Sequence, residues 1–417
     1  VSTRRIDRLA MAHDASLYRL VPQAVVRPAS VDDIITLLGY CRSTGIGLTF
    51  RAGGTSLSGQ AVTEDILVDL SRGWDGCEVL DEGDRVRVQP GITGARVNAR
   101  LRPYGTKLGP DPASILAAMV GGIVANNASG MCCGTAQNSY HTLDTMCYVL
   151  ASGTCVDTAD ADADAKLAAS EPELHAAIAA LRDDVCADAE LVALIRRKYA
   201  IKNTIGYSLN ALIDEDEPAR IIARLLVGSE GTLGFIESVT FDTVPDAERK
   251  WTTMIVHPSI DAACATVPFW REHGAAAVEI MDDASLRSFA HLPTTPDHLR
   301  VTTPGAAAVL VEFHDVEPPD TEFSVTWETE PAAQATLWRL RKGLMPSIGA
   351  MRPVGTTMIN EDIAVPPQHL ADLVKDVRAA FERFGYDEGI IFGHAKDGNI
   401  HFIVNQAFDT PADRNRY

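Results

Sequence analysis

Apolar residues fall along this chain in short runs, separated by glycine, proline and asparagine, with helix-period stripes between some of them. Val25 to Arg27 reads as a short strand. Ser30-x-x-Asp33 then offers a helix-opening cap, with Asp33 standing in for the usual Glu. Ile34, Ile35, Leu37, Leu38 and Cys41 form the apolar stripe of that helix, and Gly45 ends it. Ile46 to Phe50 is a second strand and Ile66 to Leu70 a third, while Val86 and Val88 alternate in a strand closed by Pro90-Gly91. Leu108 to Gly134, rich in Gly, Pro and Asn, reads as one long loop. Cys147 to Ala151 and Thr154 to Asp157 pair around Ser152-Gly153 as a hairpin. Asp alternates with small residues from Asp157 to Asp164, an exposed loop that lacks the Gly and Glu positions of a calcium site. Glu171 to Lys198 is mainly helical, Leu225 to Val227 leads into a glycine-rich turn, and a strand runs on to about Val244.

Pro245-Asp246, followed by Glu248, Arg249 and Lys250, marks a boundary where the pattern changes. Strand Thr252 to His257, helix Ile260 to His273 and strand Ala307 to Phe313 make one unit. Strand Thr357 to Ile363, helix Pro367 to Phe384 and a hairpin beyond Gly389 make another. Two β-α-β-like units predict an antiparallel sheet with helices on one face, an α+β arrangement. A chain of 417 residues exceeds what one core supports, and the division is expected at 1–246 and 247–417. The 46% hydrophobic and 22% charged content is that of a globular protein. A net charge of −19 argues against nucleic acid and anionic membrane surfaces, whose phosphates call for a basic footprint. There is no apolar run of about 18 residues and no signal-peptide pattern. The eight cysteines show no C-x-x-C pair. They read as mostly buried free thiols in a reducing compartment, so a soluble cytoplasmic protein is expected.

Candidate chemistry is densest at Gly393-His394-Ala395-Lys396-Asp397-Gly398-Asn399-Ile400-His401. Asp397-Gly398 suits a two-residue hairpin turn, and counting outward from it sets Lys396 against Asn399, Ala395 against Ile400 and His394 against His401. Opposed residues have Cβ atoms about 4.5–5.5 Å apart, close enough for two imidazoles to share a metal ion. Lys396 and Asn399 would share their face, and a surface hairpin with two incidental histidines is the alternative. Three glycine-rich stretches, Arg51 to Gln60, Gly121 to Gly130 and Gly228 to Gly234, stand in the first half. Glycine lets backbone amides approach phosphate oxygens, and Thr55, Ser56 and Ser58 add hydroxyl donors. The first stretch runs strand to strand, unlike nicotinamide-binding and P-loop glycines, which run strand to helix.

In this order, Arg51-Ala52-Gly53-Gly54-Thr55-Ser56-Leu57-Ser58-Gly59, Gly228-Ser229-Glu230-Gly231-Thr232-Leu233-Gly234 and Gly393-His394-x-x-Asp397-Gly398-Asn399-x-His401 resemble the FAD-linked oxidases of the vanillyl-alcohol oxidase type, with a PCMH-type FAD domain. Within that group the chain, from Tyr18 to Tyr417, resembles the D-2-hydroxyacid dehydrogenases: D-lactate and D-2-hydroxyglutarate dehydrogenase and the glycolate oxidase flavin subunit. The resemblance implies a two-subdomain FAD-binding domain followed by a ferredoxin-like antiparallel-sheet substrate (cap) domain. It implies that Arg51 to Gly59 hold the FAD pyrophosphate. Pro110, Asp111, Ser114, Gly121, Gly122, Asn126, Asn127, Ser129 and Gly130 would line the flavin and ribityl chain, with Thr142 also in the cofactor site. Glu230 and Ile236 would lie by the adenine half, with Gly234 also in the cofactor site. His394 and His401 are implied ligands of a divalent metal, zinc or manganese, with a general-base role for one of them as the alternative. Arg341 would hold the substrate carboxylate, and Asn399 would bond substrate or flavin edge. Arg339 and Lys342 read as solvated surface charges.

The implied reaction takes a 2-hydroxyacid to the 2-oxoacid, with hydride passing to the flavin and a metal lowering the pKa of the hydroxyl. A sugar or polyol oxidoreductase and a flavin-holding electron-transfer subunit are the alternatives. Lys396 and Asn360 depart from the hydroxyglutarate and lactate pattern and leave the substrate open. The family completes its metal site with a carboxylate in a later Glu-His-Gly segment, which does not occur between His401 and Tyr417. Asp409 to Tyr417 resembles the next helix of long bacterial members whose later regions carry iron–sulfur cysteines. The expectation is therefore a fragment with an incomplete metal site. Its electron acceptor would be an iron–sulfur domain or other partner, and a homodimer is a candidate assembly.

Overall fold

In the computed structural model, which describes residues 1–321 and 325–417, the chain divides into two units, Val1–Asp246 and Ala247–Tyr417. The first unit begins with β1 (Ala24–Val26), β2 (Leu48–Arg51) and β3 (Ile66–Asp69), a parallel sheet in the order β1-β3-β2. The intervening helix Val31–Thr44 starts as the sequence predicts: Ser30 Oγ accepts from the Asp33 amide at 3.2 Å, and Gly45 closes it in the left-handed region. Its Ile34 and Leu38 bury against Val68, Trp74 and Phe235. Further along come β4 (Cys77–Leu80), β5 (Arg85–Val88), the two-residue β6 (Thr106–Lys107), β7 (Leu143–Leu150), β8 (Cys155–Asp157), β9 (Gly234–Asp242) and β10 (Val244–Pro245). Five of these form an antiparallel sheet, β4-β5-β9-β7-β8, and β6 pairs with β10.

Two expectations change in this unit, and a third, the helical stretch from Glu171, gains a break. The stretch from Leu108 to Gly134 contains a helix, Val120–Ala125, whose Val120, Ile123 and Val124 are buried. The flanking glycines disguise it. Glu171 to Lys198 is two helices, because Asp188 is extended and caps the second, accepting from the amides of Glu190 and Leu191. The acidic stretch from Asp157 turns helical at Ala163, where Ala163 and Leu167 are buried.

The second unit is a six-stranded sheet of β11 (Lys250–His257), β12 (Ala277–Met281), β13 (Ala307–His314), β14 (Thr356–Ala364), β15 (Ile390–His394) and β16 (Asn399–Ala407). Their order is β11-β13-β12-β15-β16-β14, antiparallel throughout. The sheet carries helices on both faces rather than one. Side chains alternate along a strand. Val278, Ile280, Val309 and Ile391 thus join helices Ile260–Glu272 and Leu370–Phe384 in one core. Met281, Leu310, Phe392 and Ile403 join helices Asp283–Ala290, Pro331–Lys342 and Leu344–Met351 in another. The strand β12 is absent from the sequence reading. Both its faces are covered, so it lacks the polar alternation that marks a half-exposed strand. Among the described residues no helix is long and apolar enough to cross a membrane.

Candidate functional site

The hairpin that carries the two histidines is built differently from the expected one. Four residues connect β15 and β16: Ala395–Asp397 form a 3₁₀ turn and Gly398 follows at φ 68°. The ladder therefore sets His394 against Asn399 and Phe392 against His401. The histidines lie diagonally, not opposite, yet on the same face. Their imidazoles meet edge-on with Nε2–Nε2 at 3.3 Å. Lys396 leaves that face, because it sits in the turn and donates to the Ala276 carbonyl at 2.5 Å.

Each imidazole is held from behind by a carboxylate on a neighbouring strand. Glu279 on β12 stands in register with His394, and its Oε1 lies 2.8 Å from His394 Nδ1. Asp362 on β14 stands in register with His401, and its Oδ1 lies 3.2 Å from His401 Nδ1. Glu279 is fully buried, and burial raises its pKa to about 7 against the attraction of Arg341, His401 and Lys396. Its second oxygen takes Arg341, with Nε at 2.8 Å and Nη2 at 2.6 Å. The guanidinium also lies over the Phe392 ring, 5.0 Å from its centroid. Arg341, only 3% exposed, thus has its charge met by Glu279 within the fold. Asn399 is fully buried and its amide donates to Asp362 and, at 3.0 Å, to the Ile363 carbonyl. Its amide thus tethers β16 to β14.

This arrangement suits a cation. With Nδ1 of each ring facing its carboxylate, the two Nε2 atoms are left facing each other. The 3.3 Å separation of the two Nε2 atoms is short enough that His394 and His401 would hold one divalent ion between them. Carboxylate-backed imidazoles are the common second shell of histidine metal sites. Among the described residues no third Cys, Asp or Glu forms a three-ligand cluster with the pair. The facing Nε2 atoms can equally accept one proton. Sequence reasoning missed both Glu279 and Asp362. The signals were a lone charge inside Ala277–Met281 and the period-two spacing of Asp362 from Asn360 and Met358.

In the first unit the three glycine stretches converge on the helix Val120–Ala125. A Cβ on Gly53 would come within 2.5 Å of the Ala117 carbonyl, just before that helix. At its other end, Gly228 and Glu230 donate their amides to Val124 and Ala125 at 3.0 and 2.8 Å. The Glu230 side chain accepts from Asn126 at 2.7 Å, and burial raises its pKa. A Cβ on Gly130 would meet the Asp111 carbonyl at 1.9 Å. Asp111 itself accepts from the amides of Cys132 and Cys133 at 3.1 and 3.2 Å, tying Pro110–Ser114 to the turn after Gly130.

Several of the residues predicted to touch the cofactor are also bonded within the fold. Arg51 bends under Gly54 and donates to the His13 carbonyl at 2.7 Å. Asn127 accepts from the Tyr140 amide at 3.0 Å, and buried Thr142 donates to the Asn138 carbonyl at 2.9 Å. Ser56 is joined to Gln60 within the first loop. The close approaches at Gly53 and Gly130 are to the protein's own backbone and pack the glycine stretches together, while the amides of Thr55 to Gly59 on a partly exposed loop fit a diphosphate-linked cofactor.

Residues 22–159 match the family described as FAD binding domain, and residues 247–417 match the FAD linked oxidases, C-terminal domain. The chain belongs to the FAD-linked oxidases. It is 28% identical over 458 residues to a D-2-hydroxyglutarate dehydrogenase of Haemophilus influenzae, covering 98% of this chain and 43% of that protein. The chain thus spans less than half of that relative. Against the glycolate oxidase subunit GlcD of Bacillus subtilis the identity is 27%, covering 94% of this chain and 75% of that one. An alkyldihydroxyacetonephosphate synthase structure shares the fold, with TM-score 0.66, 14% identity, and 99% and 77% of the two chains covered.

Proposed function

We propose that this chain oxidises a D-2-hydroxyacid, of the 2-hydroxyglutarate or lactate type, to the 2-oxoacid. When bound, FAD supplies the acceptor for the hydride leaving Cα. The observation that carries the reading is the pair of facing Nε2 atoms, each imidazole backed by a carboxylate, within an FAD-linked oxidase C-terminal domain. Its work is on the substrate hydroxyl. An imidazole Nε2 takes the hydroxyl proton as the Cα–H bond breaks, and Glu279 or Asp362 stabilises the cation that results. General-base catalysis of this kind contributes about 10²–10⁴-fold. A divalent metal held by His394 and His401 would lower the hydroxyl pKa before the proton moves. The glycine stretches around Val120–Ala125 form the cofactor cradle in this reading, with Arg51, Asn127 and Thr142 bracing it through their bonds within the fold.

A polyol as substrate stays open for a structural reason. A cation reserved for a substrate carboxylate would disfavour a polyol, and Arg341 is already paired with Glu279. The test is anaerobic reduction of the bound flavin by a panel of D-lactate, D-2-hydroxyglutarate, glycolate and polyols, followed by loss of flavin colour. Bleaching by a hydroxyacid alone supports the proposal. Bleaching by polyols only, or by none of the panel in protein that carries flavin, sinks it.

A further inference from the structure

Outside both sites, two cysteines stand close together at the edge of the five-stranded sheet. In the β7–β8 hairpin, Cys147 opposes Asp157 and Val149 opposes Cys155. Period-two alternation therefore puts Cys147 and Cys155 on one face, offset diagonally by two positions. Their Sγ atoms are 3.7 Å apart. The pair is asymmetric. Cys147 is buried on β7, between β8 and β9, whereas Cys155 is exposed on β8, the edge strand. Cys155 is the more accessible residue of the two. The hydrogen bond from Cys147 lowers the Cys155 thiol to about 7, against burial and the nearby charges of Glu237 and Asp157, and the same bond raises Cys147. The other exposed thiol among the described residues, Cys186, lies against the Leu212 carbonyl, 3.5 Å away.

We propose that Cys155 is a peroxide-reactive thiol and that Cys147 resolves it to a disulfide. The co-reactant is a hydroperoxide. The Cys155 thiolate attacks its outer oxygen, the O–O bond breaks, and a sulfenic acid and an alkoxide or hydroxide result. Cys147 sulfur then attacks the sulfenic sulfur, the S–S bond forms, the S–O bond breaks, and hydroxide leaves to take the Cys147 proton as water. In sum two thiols and one hydroperoxide give one disulfide, one water and one alcohol, or two waters from hydrogen peroxide. The sulfurs must close from 3.7 Å to about 2.0 Å. That movement falls on three-residue β8, which pairs on one side only and turns at Gly153. The product staples the sheet edge and is reversed by a dithiol reductant.

The test is peptide mapping of the native protein after brief exposure to stoichiometric hydrogen peroxide and then alkylation. A Cys147–Cys155 linked peptide that disappears on dithiothreitol treatment is expected. Cys147→Ser should stop the reaction at a Cys155 sulfenic acid that dimedone traps. In untreated wild-type protein at neutral pH, Cys155 should be alkylated about ten-fold faster than an ordinary exposed thiol with a pKa of about 8.5. The wild-type measurements do not depend on the variant folding. Absence of the linked peptide from folded wild-type protein, together with ordinary alkylation of Cys155, overturns the proposal.

Discussion

The buried carboxylate of Glu279 makes a sharp energetic prediction, because one side chain balances a cation and orients a histidine. Replacing it by Gln keeps the shape but leaves the Arg341 guanidinium, 3% exposed, without the negative charge now 2.6 Å away. Removing one partner of a buried ion pair costs about 3–5 kcal/mol. Arg341→Met should cost less, about 1–3 kcal/mol. With its pKa already near 7, the abandoned Glu279 carboxyl can take up a proton instead of remaining a buried anion. The double variant Glu279→Gln/Arg341→Met removes both charges, so its loss should fall below the sum of the singles by about 2 kcal/mol. Urea unfolding followed by tryptophan fluorescence suits the measurement. Of the five tryptophans, four (Trp251, Trp270, Trp327 and Trp338) lie beyond residue 246, so the signal reports mainly on the second unit. Additive losses, or a Glu279→Gln loss below about 1 kcal/mol, would refute the pairing as the source of the stability. The same variants separate two roles for Arg341. A residue that only supports the fold lowers the unfolding midpoint, whereas one that also grips a carboxylate raises KM in protein that remains folded.

Further expectations follow from the same contacts. Gly130→Ala should abolish flavin absorbance in purified protein, since its Cβ would overlap the Asp111 carbonyl at 1.9 Å. Gly122→Ala meets nothing nearer than 4.0 Å and should stabilise the fold by up to about 1 kcal/mol, yet weaken FAD binding if the cofactor lies there; titration with FAD beside a thermal melt reads both effects. His401→Ala should remove any bound divalent metal and lower turnover by about 10²–10⁴-fold, read by metal analysis and flavin reduction. Asp362→Asn should lower turnover less, because the imidazole stays but its orientation loosens. Glu312 is buried, a circumstance that alone raises its pKa. Hydrogen bonds from His314, Thr252 and Trp338 outweigh burial and hold it below the usual value. A depressed carboxylate stabilises the fold above its unfolded pKa and loses that contribution as pH falls through the lower folded value. Glu312→Gln should therefore flatten the acid limb of stability below about pH 4.5, and an unchanged limb would count against those bonds.

Much of the fold is legible because it follows local rules. Ser30 and Gly45 bracket a helix in the structure as they do in the sequence, and the antiparallel sheet of the second unit follows from two repeats of strand and helix. What stays hidden depends on covering from both sides. Ala277–Met281 is apolar around a single charge and gives no period, so the strand that supplies Glu279 could not be read, and with it the ion pair that occupies Arg341. The helix Val120–Ala125 was lost in the same way, among glycines chosen for what approaches them.

The histidine hairpin shows why a wrong turn can still give the right face. A two-residue turn sets His394 against His401, and the four-residue turn sets it against Asn399. The difference is two positions, a whole side-chain period, so both registers leave the imidazoles on one surface. A three-residue connection would turn His401 into the core formed by helices Ile260–Glu272 and Leu370–Phe384 and leave His394 alone with Glu279. The chemistry therefore depends on the parity of the turn more than on its type. Four connecting residues preserve parity, and the diagonal offset they impose lets two rings approach edge-on to 3.3 Å. The neighbouring strands then matter as much as the hairpin. β12 and β14 are not consecutive with it in the chain, yet each places one carboxylate in register behind one imidazole. A site assembled across four strands in this way cannot be read from one motif.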